Sequence, residues 1–185
     1  MTLSTVERDN EFLPSVLKEV IFDEQTVMRR IEQLACSISE DYEGSEVIAV
    51  GILTEAFMFT GDLVRRLKIP ASMDFMAVSQ YDKDLPNAEV ELIQDIQEDI
   101  EGKSVLLIEG IVDTGLTLNY LTSILANRGP ASLKICTFLD RPDLRLVDIP
   151  IEYLGFQVTE EFLVGYGLDY KGNYGNLPFV ATMNL

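Results

Sequence analysis

The run Val105-Leu106-Leu107-Ile108-Glu109-Gly110-Ile111-Val112-Asp113-Thr114-Gly115-Leu116-Thr117-Leu118 passes from an apolar strand through a polar turn into a helix. Four consecutive apolar residues, Val105 to Ile108, predict a strand buried on both faces. Glu109 follows at its C-terminal end, and Asp113, Thr114 and Gly115 form a tight turn. Thr117 opens a helical pattern with Leu118, Leu121, Ile124 and Leu125 on one face. Such a corner can cradle phosphate, because the first N–H groups of a helix lack internal partners and the helix dipole favours an anion there. Gly115 lets backbone approach the anion closely, and the hydroxyls of Thr114 and Thr117 add donors. Two carboxylates beside a phosphate suit sugar hydroxyls, Mg²⁺ or a proton to be moved. The same pattern also suits an ordinary strand–turn–helix corner with Thr117 as N-cap.

Upstream, Val47-Ile48-Ala49-Val50-Gly51-Ile52-Leu53 reads as a second buried strand. A helix is expected from about Glu55, with Ala56, Phe59, Leu63 and Leu67 inward and Pro70 as its stop. Asp23 can cap an earlier helix reaching about Ser39, whose buried face is Val27, Ile31, Leu34, Ala35 and Ile38. Shorter strands are expected near Val20, over 71–81 and over 90–96, with the polar stretch 82–88 as a mobile loop. Downstream, Asn127-Arg128-Gly129-Pro130 ends the central helix, and Leu133 to Leu139 is another buried strand leading to Asp140-Arg141-Pro142. Short strands are expected at Ile151 to Gly155 and within 171–185, and the segment Phe162 to Tyr170 is apolar and runs into glycines. Strand and helix alternate at βαβ spacing, which predicts an α/β fold with a parallel sheet covered on both faces. Ligands of such sheets bind at the strand C-terminal edge. That edge collects Leu53–Glu55, Tyr81–Asp84, Glu109–Thr117 and Asp140–Arg141.

The 185 residues, 47% hydrophobic and 24% charged, fit a globular domain with its own core. The absence of histidine excludes a Ser-His-Asp or Cys-His relay and weighs against a zinc site, leaving acid–base work to carboxylates, Lys or Tyr. A net charge of −17 argues against nucleic acid or an anionic membrane as partner. A polyanionic ligand would need local positive charge or bridging Mg²⁺ against that field. Cys36 and Cys136 read as isolated buried thiols rather than a disulfide. No apolar run approaches the ~20 residues that span a bilayer, and the first residues lack a basic-then-apolar leader pattern. The expected location is cytoplasmic.

Glu109-Gly110-Ile111-Val112-Asp113-Thr114-Gly115-Leu116-Thr117 resembles the phosphoribosyl-pyrophosphate signature of type I phosphoribosyltransferases: Glu-Asp, two apolar residues, then Asp-Thr/Ser-Gly-x-Thr. Gly61-Asp62-Leu63-Val64-Arg65-Arg66, the run Asp74 to Ser79, the Asp140-Arg141-Pro142 corner and the run Glu161 to Tyr170 resemble bacterial hypoxanthine-guanine phosphoribosyltransferases, in the family's order, from about residue 19 to 180. The resemblance implies the type I phosphoribosyltransferase fold, a mostly parallel central sheet flanked by helices. It implies a single domain over 1–185, with a core of about 20–145 and a small hood from about 1–20 and 150–185. It also implies a homodimer or homotetramer that takes a purine base and phosphoribosyl pyrophosphate, or binds a purine nucleotide monophosphate, with Mg²⁺ as cofactor.

The resemblance further implies roles for individual residues. Asp113, Thr114, Gly115, Leu116 and Thr117 would hold the 5′-phosphate, and Asp113 would also be the acid–base group near purine N7. Glu109 would hold the ribose hydroxyls, directly or through Mg²⁺. Phe162 would stack on the purine, the Leu163 backbone would read its edge, and Arg141 would donate to its 6-oxo group where the family uses Lys. Asp169 would lie near a Mg²⁺ or the 2-amino group of guanine. Taken alone, Phe162 and Leu163 would read as core and Arg141 as a surface loop residue.

Four departures from the family pattern bear on activity, three of them on the pyrophosphate side. Leu53-Thr54-Glu55 replaces Leu-Lys-Gly, and Gly110 stands where a second acid is usual. Ser79-Gln80-Tyr81-Asp82 replaces Ser-Ser-Tyr-Gly in the mobile loop, and Gly175 takes the position of a C-terminal Arg. These losses leave two expectations open: a purine phosphoribosyltransferase with weakened pyrophosphate handling, or a non-catalytic relative that binds a purine nucleotide as sensor or partner subunit.

Overall fold

The computed structural model describes residues 16–79, 91–159 and 162–184. The expected mobile loop, Tyr81–Asp84 with it, lies outside these residues, as do Glu161 and the first part of the expected hood. The chain order is β1 (Leu17–Phe22), α1 (Glu24–Asp41), β2 (Val47–Leu53), α2 (Phe57–Val64), β3 (Ala71–Val78), β4 (Leu92–Gln94), β5 (Ser104–Val112), α3 (Leu116–Ala126), β6 (Ser132–Asp140), β7 (Tyr153–Gln157), β8 (Leu163–Val164) and β9 (Val180–Met183). Among the described residues no helix is long and apolar enough to cross a membrane.

Six strands form one sheet in the order β4-β3-β2-β5-β6-β7. All neighbours are parallel except β3 and β4, which run antiparallel. The central strands alternate their side chains between two cores. Ala49, Leu106, Ile108 and Phe138 meet Val27, Ile31, Ile38 and Phe59 of α1 and α2 on one face. Ile48, Val50, Val105 and Leu107 meet Leu118, Leu121 and Leu125 of α3 on the other. Burial on both faces is why β2 and β5 read as unbroken apolar runs rather than alternating ones.

β2 and β5 lie side by side, yet the chain leaves β2 toward β3 and returns to β5 on the opposite side. This reversal of strand order opens a crevice at the C-terminal ends of these two strands. A second sheet, β1-β9-β8, is antiparallel and packs around Leu17, Val164, Phe179, Ala181 and Met183. The expected hood from residue 150 onward takes in β7, which instead pairs with β6 as the edge of the large sheet. Tyr153 and Gly155 are buried in that sheet, so among the described residues the small sheet takes β8 and β9 from this end of the chain.

Asp23 caps α1 as expected, accepting from Thr26 N at 2.7 Å. Cys136 is buried in β6, but Cys36 is exposed, a correction to the expected pair of buried thiols. The buried stripe of α1 runs through Leu34, Ala35 and Ile38, which turns Cys36 outward, where its Sγ lies 3.3 Å from Glu40.

Candidate active site

β5 runs well past Ile108, so Glu109 and Gly110 are inside the strand rather than after it. Pairing with β6 carries it on, Glu109 against Thr137 and Ile111 against Leu139. The turn Asp113-Thr114-Gly115 comes next, and α3 begins at Leu116, not at Thr117. Gly115 is the N-cap, with φ +82° and no capping side chain, so the expected Thr117 cap is not the one used. A left-handed backbone here suits glycine. Crowding demands it as well, because a Cβ on Gly115 would lie 2.8 Å from the Val147 carbonyl oxygen.

A cleft of about 430 Å³ opens at this corner. It brings together Asp113, Thr114, Gly115 and Thr117 from the turn and helix start with Glu109 from β5 and Arg141 after β6. Leu53, Thr54 and Glu55 line it from the end of β2 and the turn after it, and Phe162, Leu163 and Asp169 from β8 and the segments on either side of it. Leu116 is the one residue of the expected set that does not line it. The Leu53–Thr54 peptide is cis. Ile52, Val78, Leu168 and Tyr170 also line the cleft and carried no separate signal in the sequence, being apolar neighbours of residues that did. Phe162 is 47% exposed, so its ring is not core but stands open at the cleft. Leu163 is buried in β8.

The acids of the cleft differ in environment. Asp113 faces Arg141, whose Nη1 lies 3.3 Å from Oδ1 and donates to Oδ2 at 3.4 Å. Among the described residues Oδ1 is buried with no hydrogen-bond donor of its own, and Arg141 Nε is likewise unpartnered. Burial raises the Glu55 carboxyl above the usual range, helped by Asp169 and Asp113 and opposed by Arg141. Glu109 is buried, and Oε1 accepts from the Gly110 N–H at 2.9 Å. Burial, then the Glu55 charge, pushes its carboxyl up to about 8. The Gly110 N–H pulls the other way, and Asp113 adds a smaller push upward.

Stability should depend on pH through this group. The folded protein binds a proton at Glu109 that the unfolded chain, titrating near 4.5, releases. The contribution of Glu109 is therefore greatest below about 4.5, falls as pH rises and is lost above about 8, by an amount on the order of a few kcal/mol. In metal-free buffer the melting temperature should decline across that window. Glu109→Gln should flatten the decline.

Gly110 and Glu55 prove to be coupled. A Cβ on Gly110 would lie 2.9 Å from the Glu55 carbonyl carbon and 3.1 Å from its Cβ. A Cβ on Gly167, whose φ is +97°, would strike the Glu55 carbonyl oxygen. The end of β2 is thus pressed between two glycines, and an acid at position 110 would have to displace it. Gly110→Ala is expected to cost about 1–3 kcal/mol in urea unfolding. Adding Glu55→Gly should recover part of that cost, since glycine frees the backbone there to shift. Simple additivity of the two would contradict the coupling.

Comparison with known proteins decides the family. Residues 19–171 match the sequence model of the phosphoribosyl transferase domain. The chain belongs to the phosphoribosyltransferase family. It is 44% identical to the hypoxanthine phosphoribosyltransferase of Salmonella typhimurium over 170 residues, covering 90% of this chain and 96% of that one. It is 42% identical to the hypoxanthine-guanine phosphoribosyltransferase of Staphylococcus aureus over 168 residues, covering 90% and 94%. A crystal structure of a hypoxanthine-guanine phosphoribosyltransferase from Bacillus anthracis matches with a TM-score of 0.87 at 38% identity, covering 92% of this chain and 99% of that one. The fold is the type I phosphoribosyltransferase fold. Phosphoribosyltransferases are glycosyltransferases that use phosphoribosyl pyrophosphate as donor, and the cleft at the β2/β5 switch is this phosphoribosyltransferase's candidate active site.

Proposed function

We propose that the protein joins hypoxanthine or guanine to phosphoribosyl pyrophosphate, giving IMP or GMP and pyrophosphate. The observation that carries this reading is a helix N-terminus and an open aromatic ring facing one cleft, with the Asp113–Arg141 pair also in its wall. Asp113, Thr114, Gly115, Leu116 and Thr117 hold the 5′-phosphate, through backbone N–H groups, the two hydroxyls and the positive end of the α3 dipole. Glu109 holds the ribose hydroxyls. Phe162 stacks on the purine, and the Leu163 backbone reads its edge. Arg141 donates to the 6-oxo group.

In the reaction purine N9 forms a bond to ribose C1 as the bond from C1 to pyrophosphate oxygen breaks. The sugar carries positive charge in the transition state, which the surrounding carboxylates favour. The base gives up its proton at N7 to the Asp113 carboxylate, which lines the cleft.

The donor set fits Mg²⁺. Glu109 and Asp169 offer hard carboxylate oxygens in the cleft, yet no three acidic or sulfur ligands cluster closely enough among the described residues to cage an ion by themselves. Mg²⁺ suits such a site, since it is commonly held by one or two carboxylates together with substrate phosphates. When bound, it would neutralise charge on the leaving pyrophosphate. Glu109 and Asp169 are the residues that would hold it.

The chain works as one domain, with the small sheet as a hood whose Leu163, Val164 and Met183 close one side of the cleft. Exposed Phe57, Met58 and Met73 support assembly into a homodimer or homotetramer. The working location in this reading is the cytoplasm. Substrate discrimination tests the reading. Arg141 can only donate, so a base that presents an amino group at the 6-position offers it no acceptor and sets donor against donor. Measured kcat/KM should be at least about 100-fold lower for adenine than for hypoxanthine. Equal use of the two bases would contradict it.

A further inference from the structure

Arg145 does not line the cleft, yet it touches the phosphate turn from behind. Its Nη2 ion-pairs with the buried Asp140 at the end of β6. Its Nη1 donates to the Asp113 carbonyl at 3.2 Å. The next two residues continue the contact, with Leu146 N and Val147 N donating to the Thr114 carbonyl at 2.9 and 3.1 Å. Three donors therefore hold two successive carbonyls of the turn on one side. Both peptides are trans, and in a trans peptide the N–H points opposite to the C=O. The N–H groups of Thr114 and Gly115 then point away from the donors that hold these two carbonyls, and both residues line the cleft. The segment sits close, with Arg145 Cδ 3.2 Å from where a Cβ of Gly115 would be.

We propose that Arg145 is a positioning residue for the 5′-phosphate cradle: braced on Asp140, it fixes the Asp113–Thr114 peptide plane and seats the Leu146–Val147 backbone that fixes the next one, so that the N–H groups of the turn are aimed at the anion before it binds. This deepens the proposed function and rests on its reading of Asp113–Thr117 as a phosphate site. Preorganised donors cost nothing to reorient when the ligand arrives. A turn released from Arg145 can rotate a carbonyl oxygen toward the phosphate, which weakens binding of the phosphate and leaves binding of the base alone.

The test compares GMP with guanosine by calorimetry on the full chain, in the wild type, Arg145→Ala and Arg145→Lys. Wild type should bind GMP more tightly, and the ratio of the two dissociation constants reports the cradle. Arg145→Ala should shrink that ratio about tenfold, with guanosine affinity unchanged. Arg145→Lys keeps the charge and the ion pair with Asp140 but has no second prong, so it should lose the preference too. A full preference retained in either variant overturns the proposal, and retention by Lys alone would mean that charge, not the clamp, matters. A wild type with no preference for GMP would instead sink the phosphate reading, and the positioning role with it.

Discussion

Asp113→Asn should lower kcat by about 10²–10⁴-fold while changing GMP affinity only slightly. Asparagine has nearly the shape of aspartate and leaves the turn, its carbonyl contact to Arg145 and the helix start in place. What it lacks is a carboxylate to accept the purine proton. It also leaves Arg141 without the anionic partner that faces it. Arg141 is then free to donate elsewhere, so the loss should appear in kcat more than in nucleotide binding. Steady-state rates beside calorimetric titration with GMP separate the two effects. Activity within a few-fold of wild type would remove Asp113 from the acid–base role.

The second large effect is a gain. Thr54→Lys combined with Gly175→Arg should raise kcat/KM for phosphoribosyl pyrophosphate by about 10²-fold or more, since a charge-stabilising group at a reacting centre commonly contributes 10²–10³-fold. Both positions admit the change. Thr54 is exposed at the cleft. A Cβ on Gly175 meets only ordinary contacts, 3.4 Å from the Gly167 oxygen and 3.5 Å from Asp169 Cβ. Position 175 is thus beside Asp169, which lines the cleft. The native rim offers Glu55 instead, an acid in place of a cation beside a polyanionic donor. The two new cations would approach one ligand, so their effects should not simply add. No gain in the double variant would show that the rim is suited to its ligand as it stands.

How far each element could be read from the sequence depends on the range of the signal that marks it. β2 was legible to the residue because burial on both faces writes an unbroken apolar run, Val47 to Leu53. The C-terminal half of β5 was hidden, because Glu109 and Gly110 interrupt that run and only pairing with β6 keeps the strand going. The helix start was displaced by one residue because a Thr suggests a side-chain cap, whereas the cap is Gly115, set by its left-handed backbone. The cleft residues were recovered through their resemblance to a known signature. Phe162 by composition alone reads as core, and its exposure depends on where the small sheet sits.

Two relations had no local trace. Gly110 looked like the loss of an acid, but its lack of a side chain answers the backbone of Glu55 across the sheet. Arg145 lies some 30 residues from the turn it touches, and nothing in the spacing marks the contact. Close approaches between distant segments are set by tertiary packing, which periodicity and motif do not encode.

The most direct test of purine phosphoribosyl transfer is the steady-state rate with hypoxanthine and with guanine, each with phosphoribosyl pyrophosphate and Mg²⁺, in the same preparation that is titrated with GMP. Turnover of about 1 s⁻¹ or above, near the ordinary enzyme range and lost in Asp113→Asn, is the predicted result. Tight binding of GMP with no turnover of either base would contradict it, and would make the cleft that of a nucleotide-binding protein that does not catalyse the transfer.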